Sequence, residues 1–425
     1  MILREVTQLG ERVYEAELPN GLSIRVVPKS GFSRKYALIA ADFGSADTRF
    51  SLNGETVTTP DGVAHYLEHK MFDTPKGDAM EQFAALGASP NAFTSYDMTA
   101  YYFSCTEHFE ENLQTLLEMV AVPCFTEESV EKERDIIGQE ILMYEDSADS
   151  KLFENLFTAM FRHHPIRVPI SGTVQSIAEI TADTLNTCFS AFYAPSNMML
   201  CVVGDVNPEQ VVLLAEKLLP KDRKDRPVPD YGPEEAGACP SHEIRKQMEV
   251  SMPMFAVGFR CELPEDGWES LKWEIAADLA AELLAGESSA LYQRLYEENL
   301  IDSDFSGGFE CVRGVGLVSF TGDSTDPEAV RDALLEECGR LLREGLDEDA
   351  FRRMKKSAVG RRIRDLDSFE SICYRICANF FDGVDYFRFP EAYAEVTLED
   401  VRSFLEKTVC PERMVLSVIE PKERD

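Results

Sequence analysis

Residues 61–72 read DGVAHYLEHKMF, and this short segment contains two of the six histidines in a chain of 425 residues. His65 and His69 are four residues apart, and Glu68 directly precedes the second histidine. On a helix, side chains at this spacing project from one face. Two imidazoles on one face can bind a single zinc ion, and Glu68 is close enough to reach a water molecule held by that metal. The order His-x-x-Glu-His is the inverted form of the commoner His-Glu-x-x-His motif.

A catalytic zinc site also needs a third protein ligand and one open coordination position. The helix predicted at 130–146, VEKERDIIGQEILMYED, contains Glu133 and Glu140, which are seven residues apart and therefore lie on nearly the same face. Spacing alone leaves two alternatives open. The two histidines could be core residues beside a solvated glutamate, and both glutamates of the second helix could be solvated like their acidic neighbours.

HYLEH at 65–69 followed by ERDIIGQE at 133–140 resembles the pitrilysin/insulinase family of zinc peptidases. The resemblance implies one zinc ion per chain, with His65, His69 and Glu140 as its ligands. It also implies that Glu68 is the catalytic base and that Glu133 is a second glutamate that supports the site.

Three further segments carry the resemblance along nearly the whole chain, which is most similar to single-length bacterial members of the family. GASPNAFTSYDMTAYYF (87–103) resembles the substrate-binding edge strand, HPIRVPISGT (164–173) the loop after the zinc helices, and MPMFAVGF (252–259) the opening strand of the second domain. We expect a peptide substrate to add as a strand to this edge, because backbone hydrogen bonds then provide affinity for many sequences. The candidate substrate-binding residues are Ala88, Asn91, Ala92, Phe93 and Thr94, although Phe93 could be only a core aromatic residue.

The order strand, helices, strand pair and paired helices occurs twice along the chain. In the second half it comprises a strand at 252–261, helices at 267–285 and 288–299, a strand pair at 304–322, helices at 327–344 and 348–380, and a strand at 413–419. Residues 221–240, rich in charge, proline and glycine, are typical of a linker.

This order predicts two domains, 1–220 with the zinc site and 241–425 without one, because no histidine follows His242. The resemblance implies an α+β fold in which each domain is an antiparallel sheet with packed helices, as in the mitochondrial-processing-peptidase and LuxS-like metallohydrolases. It further implies that the two similar domains enclose a chamber.

Composition limits the partners of the chain. The net charge of −34 argues against binding to nucleic acid or to anionic membranes. The apolar stretches are broken by charges before they reach membrane-spanning length. Eleven scattered cysteines without zinc-ribbon spacing, and an N-terminus without the pattern of a secretory signal, favour a cytoplasmic protein with free thiols.

One departure from the family pattern concerns the second domain. Active relatives often have an arginine and a tyrosine seven residues apart, whereas the matching segment 295–303, LYEENLIDS, has Tyr296 and Ser303 at those places.

The leading hypothesis is a zinc endopeptidase that acts on short unfolded peptides. The alternatives are a non-catalytic or partner-dependent subunit of a heterodimeric processing peptidase, and a maturation peptidase with one dedicated substrate. Single-length relatives commonly pair, so we expect a homodimer or a heterodimer with a homologous subunit.

Overall fold

The computed structural model describes residues 1–264 and 266–422. The strands are β1 (Ile2–Val6), β2 (Glu11–Glu17), β3 (Ser23–Pro28), β4 (Lys35–Ala41), β5 (Arg49–Leu52), β6 (Glu55–Thr58), β7 (Asp73–Thr74), β8 (Gly77–Asp78), β9 (Ser89–Thr94), β10 (Thr99–Cys105), β11 (Met198–Gly204), β12 (Val228–Pro229), β13 (Glu243–Met248), β14 (Met254–Glu262), β15 (Ser306–Val312), β16 (Val315–Asp323) and β17 (Met414–Pro421).

The α-helices are α1 (Val63–Lys70), α2 (Ala79–Ala85), α3 (Phe109–Ala121), α4 (Glu127–Glu145), α5 (Ala148–Met160), α6 (Val174–Ile177), α7 (Ala182–Phe192), α8 (Pro208–Leu218), α9 (Gly267–Ala285), α10 (Ala290–Glu297), α11 (Pro327–Glu344), α12 (Glu348–Arg364), α13 (Phe369–Phe381), α14 (Phe389–Glu395) and α15 (Leu398–Thr408). Within the described ranges, none of these helices combines the length and the apolar character that crossing a bilayer requires.

The chain forms two compact units. The first comprises Met1–Ile141, Pro169–Tyr231 and Ile363–Phe387, and the second comprises Leu142–Val168, Gly232–Arg362 and Arg388–Asp425. This division differs from the continuous domains predicted at 1–220 and 241–425, because each unit contains a helix from the other half of the sequence. Helix α13 belongs to the first unit and α5 to the second, where each packs on a sheet.

The first unit is built on a sheet with the strand order β1-β2-β3-β11-β4-β10-β9. Its pairs are antiparallel except that β11 runs parallel to β3. Strand β11, MMLCVVG, is buried along its whole length, as expected for a central strand covered on both faces. Helix α13 packs on β4 and β11, while α1 and α3 contact β10, and β9 is the terminal strand of the sheet.

The second unit repeats this topology. Its sheet has the order β13-β17-β14-β16-β15, which corresponds strand for strand to β3-β11-β4-β10-β9. Again only one pair is parallel, β13 with β17. Helix α5 packs on β13, β14 and β17, and α9 packs on β15 and β16. The predicted α+β fold of two similar domains is therefore confirmed, with one parallel pair in each otherwise antiparallel sheet.

The single helix predicted at 348–380 is wrong, because the chain leaves the α-helix after Arg364. A 3-10 turn at Asp365–Asp367 follows, and the Ser368 side chain then accepts the N–H of Ser371 and starts α13. A serine oxygen at this position satisfies a backbone donor that the new helix would otherwise leave without an acceptor. The break allows α13 to pack on the first sheet while α12 remains in the second unit.

The segment after β12 is attached to the end of α5, within the second unit, by the carboxylate of Glu235. Glu235, whose side chain is 7% exposed, accepts the backbone N–H groups of three consecutive residues, Arg162, His163 and His164, just beyond the end of α5. Arg260 lies 3.6 Å from the same carboxylate. Burial opposes ionisation of Glu235, but these donors and Arg260 outweigh it and lower the pKa of the carboxyl.

We expect Glu235→Gln to lower the free energy of unfolding by about 2 kcal/mol, because hydrogen bonds to a charged group are lost in a buried site. A depressed pKa stabilises the fold above the unfolded-state pKa, so this contribution is lost as the pH falls through the folded-state pKa. Urea unfolding of both proteins from pH 7 to pH 3 tests this. The difference between them should shrink toward low pH, and a constant difference would contradict the role of the charge.

Candidate active site

Helices α1 and α4 bring the predicted metal ligands together. Helix α4 buries Val130, Ile137 and Ile141 along one stripe, which leaves Glu133 and Glu140 beside that stripe and facing α1. The Tyr66 hydroxyl of α1 donates a hydrogen bond to the Val130 carbonyl of α4. This bond and the shared core fix the spacing of the two helices.

The three predicted ligands converge on one point. His65 Nε2 lies 3.6 Å from Glu140 Oε1, and His69 Nε2 lies 3.5 Å from Glu140 Oε2. The centroids of the two imidazole rings are 4.7 Å apart. A tetrahedral zinc ion with ligand bonds of about 2.0–2.2 Å places neighbouring ligand atoms roughly 3.3 Å apart. Among the described residues, His65, His69 and Glu140 form the one group of three or more metal-ligating side chains whose ligand atoms all lie within 4.8 Å of one another.

The local charge also fits a divalent cation. Glu68, Glu133 and Glu140 surround the two histidines, whereas the cation nearest to them is the Lys70 ammonium, which is 2% exposed. The Lys70 ammonium is shared between Glu133 and Asp73, so the negative charge of the three glutamates is not fully offset in this partly buried site, and such charge requires compensation. A doubly charged metal ion supplies it. The donor set of two imidazoles and one carboxylate is typical of catalytic zinc.

Glu133 orients His69 rather than facing the metal position. Its Oε1 lies 3.0 Å from His69 Nδ1, the ring nitrogen opposite the one that faces Glu140. Its Oε2 lies 3.7 Å from the ammonium of Lys70, which also pairs with Asp73. The hydrogen bond with His69 lowers the pKa of the Glu133 carboxyl despite its burial. A carboxylate in this position fixes the orientation and tautomer of a metal-binding imidazole.

We expect Glu133→Gln to weaken zinc binding by about 10- to 100-fold, because the amide is a weaker acceptor for the imidazole N–H. Competition with a chelator measures the affinity. Glu131→Gln is the matched control on the same helix, since Glu131 is exposed. Equal affinity in the two variants would show that Glu133 does not support the site.

Glu68 lies beside the three ligands and next to strand β9. Its Oε2 accepts a hydrogen bond of 2.6 Å from the Thr94 hydroxyl. Burial raises the pKa of the Glu68 carboxyl, and the Thr94 hydroxyl and the two imidazoles offset only part of this effect. A carboxyl whose pKa is shifted toward neutrality is suited to accept and return a proton.

The predicted substrate-binding segment forms the edge strand β9, and its residues face different surroundings. Ala92 packs against the core of the first unit, whereas Asn91 is exposed. Phe93 points to the other face of the sheet, where its ring is 5.8 Å from Tyr374 of α13. Ala88 precedes β9, and its N–H already donates to the Phe83 carbonyl.

The backbone of β9 presents hydrogen-bonding groups at an open edge. The Ser95 N–H donates to the Met98 carbonyl, on the side of β10. In an antiparallel pair every second residue bonds to the neighbouring strand, so the backbone of Asn91 also faces β10. The N–H of Ala92 accordingly points away from β10, where the side chain of Asn91 accepts it at 2.9 Å. Ala92 and Thr94 are therefore the residues whose backbone groups face an added strand.

Three contributions were missed by sequence reasoning. Lys70 balances Glu133, the Tyr66 hydroxyl joins α1 to α4, and the Thr94 side chain holds Glu68. Lys70 could have been noticed as a charge on an otherwise buried helix face. Tyr296 and Ser303, the positions where relatives often have an arginine and a tyrosine, lie in the second unit; Tyr296 is exposed and stacks on Tyr292.

A repeated α+β unit and a His-x-x-Glu-His helix with a carboxylate from a second helix define a zinc metallopeptidase family. Residues 55–174 match the family model described as Insulinase (Peptidase family M16), and residues 179–358 match Peptidase M16 inactive domain. The chain is 38% identical to the uncharacterized zinc protease YmfH of Bacillus subtilis, over 98% of this chain and 99% of that protein. The chain belongs to the insulinase family of peptidases, and the predicted resemblance is confirmed.

A solved structure and a further sequence relative agree with this assignment. A crystal structure from Alicyclobacillus acidocaldarius, named "putative M16-like peptidase", has a TM-score of 0.92 and 31% identity, covering 97% of this chain and 99% of that one. A protein of Arabidopsis thaliana named "Probable mitochondrial-processing peptidase subunit beta" is 31% identical over 49% of this chain and 39% of its own length. The family and the donor set together identify zinc as the cofactor, as predicted.

Proposed function

We propose that this chain is a zinc-dependent endopeptidase that hydrolyses peptide bonds of short unfolded peptides. The observation that carries the proposal is the position of Glu68. Its carboxylate lies between the His65, His69 and Glu140 cluster and the open edge strand β9, and its Oε2 is held by Thr94. A base, a metal site and a backbone-pairing edge are the three parts that metal-assisted hydrolysis of an extended peptide uses.

The chain's own residues account for the proton transfers. Zinc at a site of this kind acidifies water and polarises a carbonyl group. Glu68 Oε1, opposite the oxygen that Thr94 holds, accepts the proton of the attacking water. Glu68 then returns that proton to the nitrogen of the leaving amine as the peptide bond breaks. Glu133 keeps His69 in position throughout.

The substrate is expected to pair with Ala92 and Thr94 as an added antiparallel strand. The Asn91 side chain, which accepts the Ala92 N–H, has to give way to the substrate carbonyl. Backbone pairing gives affinity that depends little on sequence, so unfolded segments are favoured over folded ones. Selection by size in a chamber remains an expectation of the family resemblance.

A second candidate is a subunit that is active only with a homologous partner. It is favoured by Tyr296 and Ser303 at the positions where active relatives often have an arginine and a tyrosine, and one relative is named as a subunit. The retained base and metal ligands favour an active subunit over a non-catalytic one. The working form is then a homodimer or a heterodimer.

A peptide-library digest tests both candidates. Metal-free protein is reloaded with zinc, incubated with unstructured peptides, and the products are identified by mass spectrometry. Zinc-dependent internal cleavage is the expected result. Cleavage only after addition of a homologous chain from the same source would favour the partner-dependent subunit, and no cleavage in either case would overturn the proposal.

A further inference from the structure

Thr94 has two distinct contacts that no other residue of β9 combines. Its backbone groups face the open edge of the sheet, by the same alternation that directs the Ala92 N–H outward. Its hydroxyl reaches to the other side and donates to Glu68 Oε2 at 2.6 Å. One residue therefore adjoins both the strand-pairing edge and the candidate base.

The donors and acceptors around Thr94 fix the direction of its hydrogen bond with Glu68. Thr99, which is opposite Thr94 on β10 and fully buried, donates its only hydroxyl proton to the Phe43 carbonyl at 2.8 Å. The oxygens of the two threonine hydroxyls are 3.4 Å apart. A carboxylate can only accept, so the proton of the Thr94 hydroxyl points to Glu68. With both protons used in this way, the two threonine hydroxyls lie side by side without a hydrogen bond between them.

The consequence concerns the two oxygens of Glu68. Oε2 is held by Thr94, whereas Oε1 has no hydrogen-bond partner among the described residues. Hydrogen bonds from a hydroxyl to a carboxylate are short and directional, and they restrict the side chain to one rotamer. The carboxylate is thereby held through one oxygen, and Oε1 is left to accept a proton.

We propose that Thr94 is a positioning residue that holds Glu68 in its working orientation. The inference rests on the proposed function, since it assigns Glu68 as the base. Thr94 itself does not react.

The test uses the full-length, zinc-loaded chain with three substitutions. Thr94→Val removes the hydroxyl and keeps the shape, and kcat is expected to fall by about 10- to 100-fold while KM changes less than about threefold. Thr94→Ser restores the donor and should recover most of kcat. Thr56→Val, on exposed β6, is the matched control and should behave as the wild type. Zinc content should be the same in all of them.

Crystal structures of the wild type and Thr94→Val provide a readout apart from activity. A changed rotamer of Glu68 in the variant supports the inference. An unchanged rotamer, an unchanged kcat, or an equal loss in Thr94→Ser would overturn it. If the wild type cleaves no peptide, the proposed function fails, and the Glu68 rotamer in the two crystal structures still decides whether Thr94 positions that side chain.

Discussion

Glu68→Gln is expected to abolish most peptide cleavage while zinc stays bound. The amide keeps the size of the side chain and can still accept from Thr94, but it cannot take a proton from water. General bases contribute about 100- to 10,000-fold to rate, so kcat should fall within that range. KM should change little, because Glu68 is not among the backbone groups of β9 that pair with substrate.

The measurement combines steady-state cleavage of a peptide found in the library digest with metal analysis of the same sample. Glu131→Gln, an exposed glutamate to glutamine change on α4, controls for the chemical change itself. Retained zinc with lost cleavage identifies Glu68 as the base. Loss of zinc together with activity would instead place Glu68 among the ligands, and full activity would remove it from the mechanism.

Glu140→Gln should release the metal. Glu140 supplies the only carboxylate within ligand distance of both imidazoles in the described part of the chain, at 3.6 Å from His65 Nε2 and 3.5 Å from His69 Nε2. A neutral amide oxygen neither balances the cation nor binds it strongly. Because loss of an outer partner alone costs about 10- to 100-fold in affinity, loss of a direct ligand should exceed that range.

Chelator competition and metal content after dialysis measure this effect, again with Glu131→Gln as the control. Cleavage should fall in proportion to bound zinc, and added zinc should rescue it only partly. The comparison with Glu133→Gln is informative, because that residue supports His69 without facing the metal position. Equal affinities in Glu140→Gln and the wild type would exclude α4 as the source of the third ligand.

The residues of the candidate metal site could be selected from the sequence because they lie on two helices with regular spacing. His65 and His69 are one turn apart on α1, and Glu133 and Glu140 are two turns apart on α4. Helical periodicity makes each pair share a face before anything is known of the fold. That the two faces meet depends on the buried stripe of α4, which the same periodicity also indicates.

The support of the site could not be predicted in this way. The Thr94 hydroxyl approaches Glu68 from a strand 26 residues later in the chain. Whether a threonine on an edge strand faces a helix or solvent depends on strand register, and a shift of one residue reverses it. The contact between Lys70 and Glu133 likewise depends on how closely α1 and α4 pack.

The amino-acid sequence by itself determined the local elements, their twofold order and the chemical types of the metal ligands, because these follow from short-range periodicity and composition. Only the tertiary structure decided that α5 and α13 pack in units formed largely by the other half of the chain, and that Thr94 holds Glu68. Such pairings are selected by the burial of complementary surfaces between distant segments, and a single sequence contains no spacing rule that specifies them.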